Sequence, residues 1–433
     1  MALFADRIQR IGTENAFKVG PYIKEVEDST GKKVIRCNLG EPDFPLPKHI
    51  REEVKRQIDN DMTHYCDPQG ILPLREAVAK YIGRNRGLKI TPDRVVVFPG
   101  AKPAIGFCQE AYCNPGDEVI YPSPGFPIYE SFTEFVGLKP VPIHLDERKG
   151  FAFTGEDLAP LITKKTKLMI VNFPSNPTGG VATREQLESI AKVIQTRAPK
   201  DVRVFSDEVY EFILFDGSKH ISIASMPGME ERTIIVSGAS KSYSWTGGRI
   251  GWAVFPTAEE AAVFKTLNIN YFSCTAAYNQ MGSKVAIESP ESGPEVQKMV
   301  KAFEERRNLV VKALNAIPGI TCQMPKGAFY VFPNIAGVCE EIGAIELHRG
   351  LPPDVRPKTS PATLFQMFLL FKYQVATMDR RAFGVIGTEG KHFLRISIAT
   401  GLDDLKEGMR RLAAAAKDKS GFRAFVNEGK RLY

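Results

Sequence analysis

Short runs of β-branched and aromatic residues alternate with longer segments of helical apolar spacing through the first part of the chain. A short apolar run bounded by turn residues indicates a buried strand, and apolar residues three and four positions apart indicate an amphipathic helix. Strands that alternate with helices are typical of a mostly parallel sheet. The pattern predicts strands at 94–98, 118–121, 138–143, 167–171, 202–205, 233–236 and 250–255, and helices from 103 and over 183–196.

The two ends of the chain have a different pattern. An arm and a helix ending near Lys32 are predicted at the start, and long helices over 259–315 precede strands at 327–332 and 392–399 and a closing helix at 402–417. We therefore predict an α/β protein, with a large domain built on a mostly parallel seven-stranded sheet flanked by helices and a smaller α+β domain. The expected division is an N-terminal arm with part of the small domain at 1–50, the large domain at 51–300, and the C-terminal small domain at 301–433.

Composition narrows the class of protein. The 433 residues are 43% hydrophobic and 25% charged, as in ordinary soluble globular proteins. The net charge of +7 is interspersed, without the basic run that a nucleic-acid partner would need. Seven scattered cysteines without a C-x-x-C pair favour free thiols in a reducing cytoplasm over a disulfide framework or a zinc site. The N-terminus lacks the apolar segment of a signal peptide, and the most apolar stretch, 364–371, is too short to span a membrane. We expect a cytoplasmic protein with no metal, membrane or nucleic-acid partner.

Several predicted strands end in a loop that carries one chemically distinctive residue. Ligands of open α/β sheets bind at the carboxyl ends of the strands, so these residues should face one crevice. They are Gly100, Ala101, Lys102, Phe126, Asn176, Asp207, Tyr210 and Lys241.

Lys241 lies among small and hydroxylated residues between two predicted strands. A lysine desolvated in this position can lose its proton, and a neutral amine can form a Schiff base. Arg249, eight residues later, can pair with an anion. A loop lysine and a structural arginine remain the alternative when this segment is taken alone.

The other candidates also have two interpretations each. Backbone N–H groups around Gly100 can bind phosphate at a helix start, and Asp207 can keep a pyridine nitrogen protonated or simply cap a helix. Tyr210 and Asn176 can hydrogen-bond a phenolic oxygen, Phe126 can stack on an aromatic ring, and Arg395 can grip a carboxylate; each can equally be structural. Together, however, these groups are what pyridoxal phosphate chemistry requires of a protein.

The motifs in combination resemble a known family. They are Asn38-Leu-Gly-Glu-Pro-Asp43, Tyr65 before Gly70, Gly100-Ala-Lys102, Pro115-Gly-Asp-Glu-Val119, Asn176-Pro-Thr-Gly179, Asp207-Glu-Val-Tyr210, Ser240-Lys241, Arg249-Ile-Gly251, Gly327-Ala-Phe-Tyr330 and Arg395. From about residue 14 to 417 the chain resembles the fold-type I, class I/II aminotransferases, a group that includes bacterial aspartate aminotransferases.

The resemblance implies a role for each candidate. Lys241 would hold pyridoxal phosphate in the large domain and shuttle the proton, Asp207 would bind the pyridine nitrogen, and Asn176 with Tyr210 the phenolic oxygen. The α-carboxylate of the substrate would be held by Arg395 with Asn176 and Gly40. Phe126 would stack on the ring, and the phosphate would be held by Gly100, Ala101, Lys102, Ser240 and Arg249, joined by Tyr65 from the other subunit of a homodimer.

Two departures from the family pattern affect the site. Many relatives carry Ser three residues before the lysine, where this chain has Gly238. Residues 334–392 form a longer segment than usual, in which Met378-Asp-Arg-Arg-Ala-Phe-Gly384 replaces a Val-Pro-Gly-like loop.

The resulting prediction is an aminotransferase that moves an amino group from an amino acid to a 2-oxo acid in two half-reactions. In the aspartate aminotransferases that the chain resembles, a lysine at the position of Lys102 can touch the distal carboxylate of a dicarboxylic substrate, so the resemblance favours aspartate or glutamate. The alternative is that Lys102 only neutralises the cofactor phosphate. Aromatic or other donors, and a lyase, decarboxylase or racemase outcome at the same site, stay open. A pyridoxal-phosphate-binding regulator is disfavoured because no region of ~60 residues is left for a helix-turn-helix domain.

Overall fold

The computed structural model describes residues 3–12 and 14–433. Met1, Ala2 and Thr13 belong to the predicted N-terminal arm and lie outside these residues. The helices are α1 (Asn15–Thr30), α2 (Lys48–Asp59), α3 (Leu72–Arg86), α4 (Lys102–Tyr112), α5 (Ile128–Phe135), α6 (Gly155–Leu158), α7 (Arg184–Arg197), α8 (Ala239–Ser242), α9 (Ala258–Phe272), α10 (Ala277–Glu288), α11 (Ser292–Asn315), α12 (Ala336–Glu341), α13 (Ala344–Arg349), α14 (Pro361–Tyr373), α15 (Leu402–Ala415) and α16 (Lys419–Asn427).

The strands are β1 (Ile35–Arg36), β2 (Val95–Pro99), β3 (Glu118–Ser123), β4 (Lys139–His144), β5 (Thr166–Asn172), β6 (Arg203–Asp207), β7 (Thr233–Gly238), β8 (Ile250–Val254), β9 (Tyr330–Val331), β10 (Val375–Ala376), β11 (Met378–Asp379) and β12 (Leu394–Ser397). Seven of them form one sheet in the order β2-β8-β7-β6-β5-β3-β4. Strand β8 runs antiparallel to β2 and β7, and the other pairs are parallel. The predicted mostly parallel seven-stranded sheet is confirmed.

Helices cover both faces of this sheet, which is why its central strands are nearly continuous apolar runs. On one face Phe205 of β6 belongs to a core cluster with Ile105 of α4 and Phe264 of α9. On the other face Val204 belongs to a cluster with Leu187 of α7. Because helices cover both faces of the sheet, a ligand-binding site can form only at the ends of its strands.

Two smaller sheets involve the ends of the chain. Strand β1 pairs in parallel with β10, with Ile35 opposite Val375, so an N-terminal segment joins C-terminal structure. Strands β11, β12 and β9 form an antiparallel sheet in that order. The predicted division at residues 50 and 300 stays a prediction, and residue 300 falls within α11.

The long segment before β12 is folded rather than an extended loop. It contains α12, α13 and α14, and the apolar stretch singled out in the sequence is the buried body of α14. Within residues 3–12 and 14–433, no helix has both the length and the apolar character needed to cross a membrane.

Candidate active site

The carboxyl ends of β5, β6 and β7 open on a cavity of about 560 Å³ that the smaller antiparallel sheet closes from the other side. Most of the residues predicted from the sequence line it. They are Gly40, Ala101, Lys102, Phe126, Asn176, Asp207, Tyr210, Ser240, Lys241, Arg249 and Arg395.

Lys241 reaches this cavity from the short helix α8, which begins directly after β7. Its Nζ donates a 2.5 Å hydrogen bond to the carbonyl oxygen of Gly40. Burial lowers the pKa of Lys241 to about 8, although the nearby carboxylates of Glu14 and Glu41 act in the opposite direction. At pH 7 about a tenth of the amines are therefore neutral, far more than for an ordinary lysine, and the neutral form is the nucleophile.

Asp207 ends β6 and is 7% exposed. Burial raises the pKa of its carboxyl to about 6, while hydrogen bonds from the Tyr129 hydroxyl and the Val209 amide favour the charged form. The Tyr129 hydroxyl donates to Oδ2 over 2.6 Å. Asn172, the last residue of β5, donates through Nδ2 to the Asp207 carbonyl over 3.1 Å, so the two strand ends are tied together.

A buried ionic cluster holds the turn that follows Asp207. Arg86 Nη2 donates to Glu208 Oε2 over 2.7 Å and also to Glu211, and all three side chains are at most 4% exposed. The Tyr81 hydroxyl donates to Glu211 over 2.5 Å, and His220 lies 2.8 Å from Glu208. Such a fully paired cluster fixes the direction of the backbone between Asp207 and Tyr210.

Arg395 of β12 projects into the cavity from the opposite wall. Its Nη1 donates to Asn176 Oδ1 over 3.1 Å, and Nη2 donates to the Asn38 carbonyl. The guanidinium lies 4.6 Å from the Tyr330 ring centroid and 4.8 Å from that of Phe383. Burial lowers the pKa of Arg395. A guanidinium held between two rings is oriented for bidentate binding of a carboxylate.

The first turn of α4 forms an anion cup with Ser240 and Arg249. Gly100 lies against Arg249, since a Cβ there would stand 2.0 Å from Nη2, and a Cβ at Gly251 would stand 2.3 Å from the Ala101 nitrogen. Glycine at these two positions thus lets the backbone lie directly against the Arg249 guanidinium and the Ala101 amide. A Cβ at Gly238 would lie 2.8 Å from the Ile250 carbonyl oxygen, which gives a steric reason for the missing serine.

Aromatic side chains also line the cavity. The Tyr210 and Tyr330 hydroxyls are 2.8 Å apart, and burial raises the pKa of both phenols. Phe126 also lines the cavity, with the Lys102 ammonium 5.5 Å from its ring centroid. The same cavity is thus lined by an anion cup, an aromatic ring and a buried carboxylate, and this donor set suits a phosphorylated pyridine.

Two predicted residues are not among those lining the cavity, and several lining residues were not predicted. Gly100 lies behind Arg249, and Tyr65 is 86% exposed. The unpredicted polar contributors include Glu14, Glu41, Tyr129, Asn172 and Tyr330. Tyr129 could have been suspected from the sequence, because it lies only three residues after the predicted Phe126. Glu14 had none, because the arm has no pattern that fixes its position.

Comparison with known proteins agrees with this geometry. The family described as Aminotransferase class I and II matches residues 32–412. A probable aspartate/prephenate aminotransferase of Aquifex aeolicus is 34% identical, over 96% of this chain and 98% of that protein. The aromatic-amino-acid aminotransferase 2 of Thermococcus litoralis is also 34% identical, over 97% of this chain and 99% of its own length. The crystal structure of the aspartate aminotransferase from Rhizobium meliloti has a TM-score of 0.84 at 32% identity, covering 96% of this chain and 99% of the other.

Proposed function

The chain belongs to the class I and II aminotransferases, and we propose that its transaminase reaction uses pyridoxal phosphate bound at Lys241. The observation that carries this proposal is a lysine of lowered pKa facing the same cavity as a buried aspartate and a buried arginine. A lysine with a purely structural role would have no reason to share a cavity with a buried aspartate and a buried arginine.

The residues of the cavity fit each part of the cofactor. The first-turn amides at Ala101 and Lys102, with the Ser240 hydroxyl and the Arg249 guanidinium, would hold the phosphate. Asp207 would hold the protonated pyridine nitrogen, Asn176 and Tyr210 would bind the phenolic oxygen, and Phe126 would cover one face of the ring.

The bound cofactor supplies an electron sink that stabilises negative charge at the substrate Cα. Arg395, supported by Asn176 and the backbone at Gly40, would hold the α-carboxylate and so fix the substrate. Lys241 Nζ would then accept the Cα proton, since its lowered pKa suits a general base near neutral pH. Asp207 in its charged form would stabilise the positive charge on the pyridine nitrogen.

Lys102 supports a dicarboxylic donor, aspartate or glutamate, because its ammonium lies on the cavity wall and can reach a distal carboxylate. A second candidate is a large apolar or aromatic donor, which the apolar wall of Ile105, Phe126, Met378 and Phe383 favours. Relatives named for both kinds of donor agree with either choice.

We further propose a cytoplasmic homodimer with shared active sites. Tyr65 is a large aromatic side chain left 86% exposed, as expected for a residue that completes a partner's phosphate cup. The seven free cysteines fit a reducing compartment.

A panel of amino donors with 2-oxo acids tests the proposal. The purified enzyme, loaded with pyridoxal phosphate, should convert donor and acceptor in equal amounts to the matching oxo acid and amino acid. Carbon dioxide as the main product would indicate a decarboxylase instead. Ammonia released without a new amino acid would indicate a lyase.

A further inference from the structure

An ion pair between Glu14 and Lys102 lines the cavity. Glu14 immediately precedes α1, and Lys102 is the first residue of α4. Two hydrogen bonds hold the arm before Glu14 against α5. The Gly12 amide donates to Ser131 Oγ over 2.8 Å, and Arg10 Nε donates to the Glu134 carbonyl over 2.9 Å. These contacts keep the carboxylate beside the ammonium.

The charges around the cavity can be assigned one by one under the proposed function. Asp207, Lys241 and Arg249 serve the cofactor, and Arg395 serves the α-carboxylate. Of the charged lining residues in the described part of the chain, this leaves Lys102, Glu14 and Glu41 to face the substrate side chain. Glu41 accepts a hydrogen bond from Thr246, and Glu14 already neutralises Lys102.

The cation that a distal substrate carboxylate would bind, Lys102, is therefore already paired with Glu14. We propose that Glu14 is a specificity-determining residue that competes with the substrate side chain for Lys102. This inference rests on the proposed function and deepens it. An apolar side chain leaves the ion pair in place and meets a neutral pair beside the apolar wall. A carboxylate must displace Glu14 and then bind near a second negative charge, which disfavours it.

The exposure of the two partners makes this exchange feasible. The Lys102 side chain is 46% exposed and that of Glu14 is 18% exposed. Ion pairs open to water are weak and easily broken, so a substrate carboxylate can replace Glu14 without disrupting the fold. An aminotransferase must admit two different side chains in its two half-reactions, and a displaceable acid lets one pocket take both kinds.

The test uses the enzyme loaded with pyridoxal phosphate and the substitutions Glu14→Gln, Lys102→Gln and both together. The glutamine at position 14 keeps the size of the side chain and removes its charge. The ratio of kcat/KM for glutamate to kcat/KM for phenylalanine should rise about tenfold in Glu14→Gln. The affinity for succinate, measured by calorimetry, should rise by a similar factor relative to that for 3-phenylpropionate. In the Lys102→Gln background the Glu14→Gln substitution should produce no such shift.

Glu41→Gln is the matched control, because it removes the same charge from the same cavity at a residue that makes no ion pair with Lys102. Glu14→Asp, whose shorter side chain should release Lys102 in part, gives an intermediate shift if Glu14→Gln folds poorly.

Unchanged or weaker succinate binding in Glu14→Gln would overturn the inference. So would an equal shift in Glu41→Gln, or a shift that persists without Lys102. Failure of the unmodified enzyme to transaminate any donor would instead overturn the proposed function, while the succinate measurements would still report on Glu14.

Discussion

The Tyr129 hydroxyl donates a 2.6 Å hydrogen bond to the buried carboxylate of Asp207. Tyr129 lies in the first turn of α5, just after Phe126, so one short segment supplies both the proposed ring wall and the partner of the acid. The hydrogen bond opposes the effect of burial on Asp207 and favours the charged form that the proposed chemistry needs.

Tyr129→Phe should move the pH dependence of cofactor binding upward. The pKa of Asp207 is about 6, raised by burial and held down in part by Tyr129, so loss of the hydroxyl raises it further. Protonated Asp207 cannot hold a pyridinium, so affinity for pyridoxal phosphate should fall as the pH falls through this pKa. Titrating the apo-protein with the cofactor between about pH 5 and about pH 8 gives the midpoint. An unchanged midpoint would mean that Tyr129 does not act on Asp207.

Asp207→Asn should lower kcat by about 100-fold or more, because a neutral amide cannot keep the pyridine nitrogen protonated. The amide keeps the size and shape of the carboxylate, so far-UV circular dichroism should match that of the unmodified protein. Near-normal turnover would show that Asp207 is only a structural group at the end of β6.

The sequence was informative where a strand pattern fixed the position of a residue. Asp207, Asn176 and Lys241 follow buried strands, and the rule that ligands bind at strand ends was enough to bring them together. Tyr330 lies within the strand predicted at 327–332, but the rule does not reach it because β9 belongs to the smaller antiparallel sheet. Glu14 could not be found because the arm has no periodic pattern. Their positions depend on packing between segments that are far apart in the chain.

Arg86→Met should destabilise the fold by roughly 3–5 kcal/mol, because it leaves Glu208 and Glu211 as buried charges without their cation. Urea unfolding at neutral pH measures the free energy. Arg410→Met is a suitable control, since Arg410 pairs with Glu407 on the surface with its side chain 70% exposed. A loss for Arg86→Met as small as that for Arg410→Met would show that the buried cluster does not support the turn after Asp207.

If the proposed dimer forms, Tyr65 should contribute to cofactor binding although it does not line the cavity of its own chain. Light scattering should give twice the mass of one chain, and Tyr65→Phe should weaken binding of pyridoxal phosphate by removing one phosphate contact. Tyr433→Phe, at a tyrosine that is 50% exposed and does not line the cavity, serves as the control. A fully active monomer would contradict the shared site.

The central claim is that Lys241 binds the cofactor covalently. Borohydride reduction of the enzyme loaded with pyridoxal phosphate, followed by peptide mass mapping, tests it directly. We expect the label on the peptide that contains Lys241, and we expect Lys241→Ala to lose both the label and all turnover while still binding some cofactor noncovalently. A label on Lys102 or any other lysine, with Lys241 unmodified, would contradict the account.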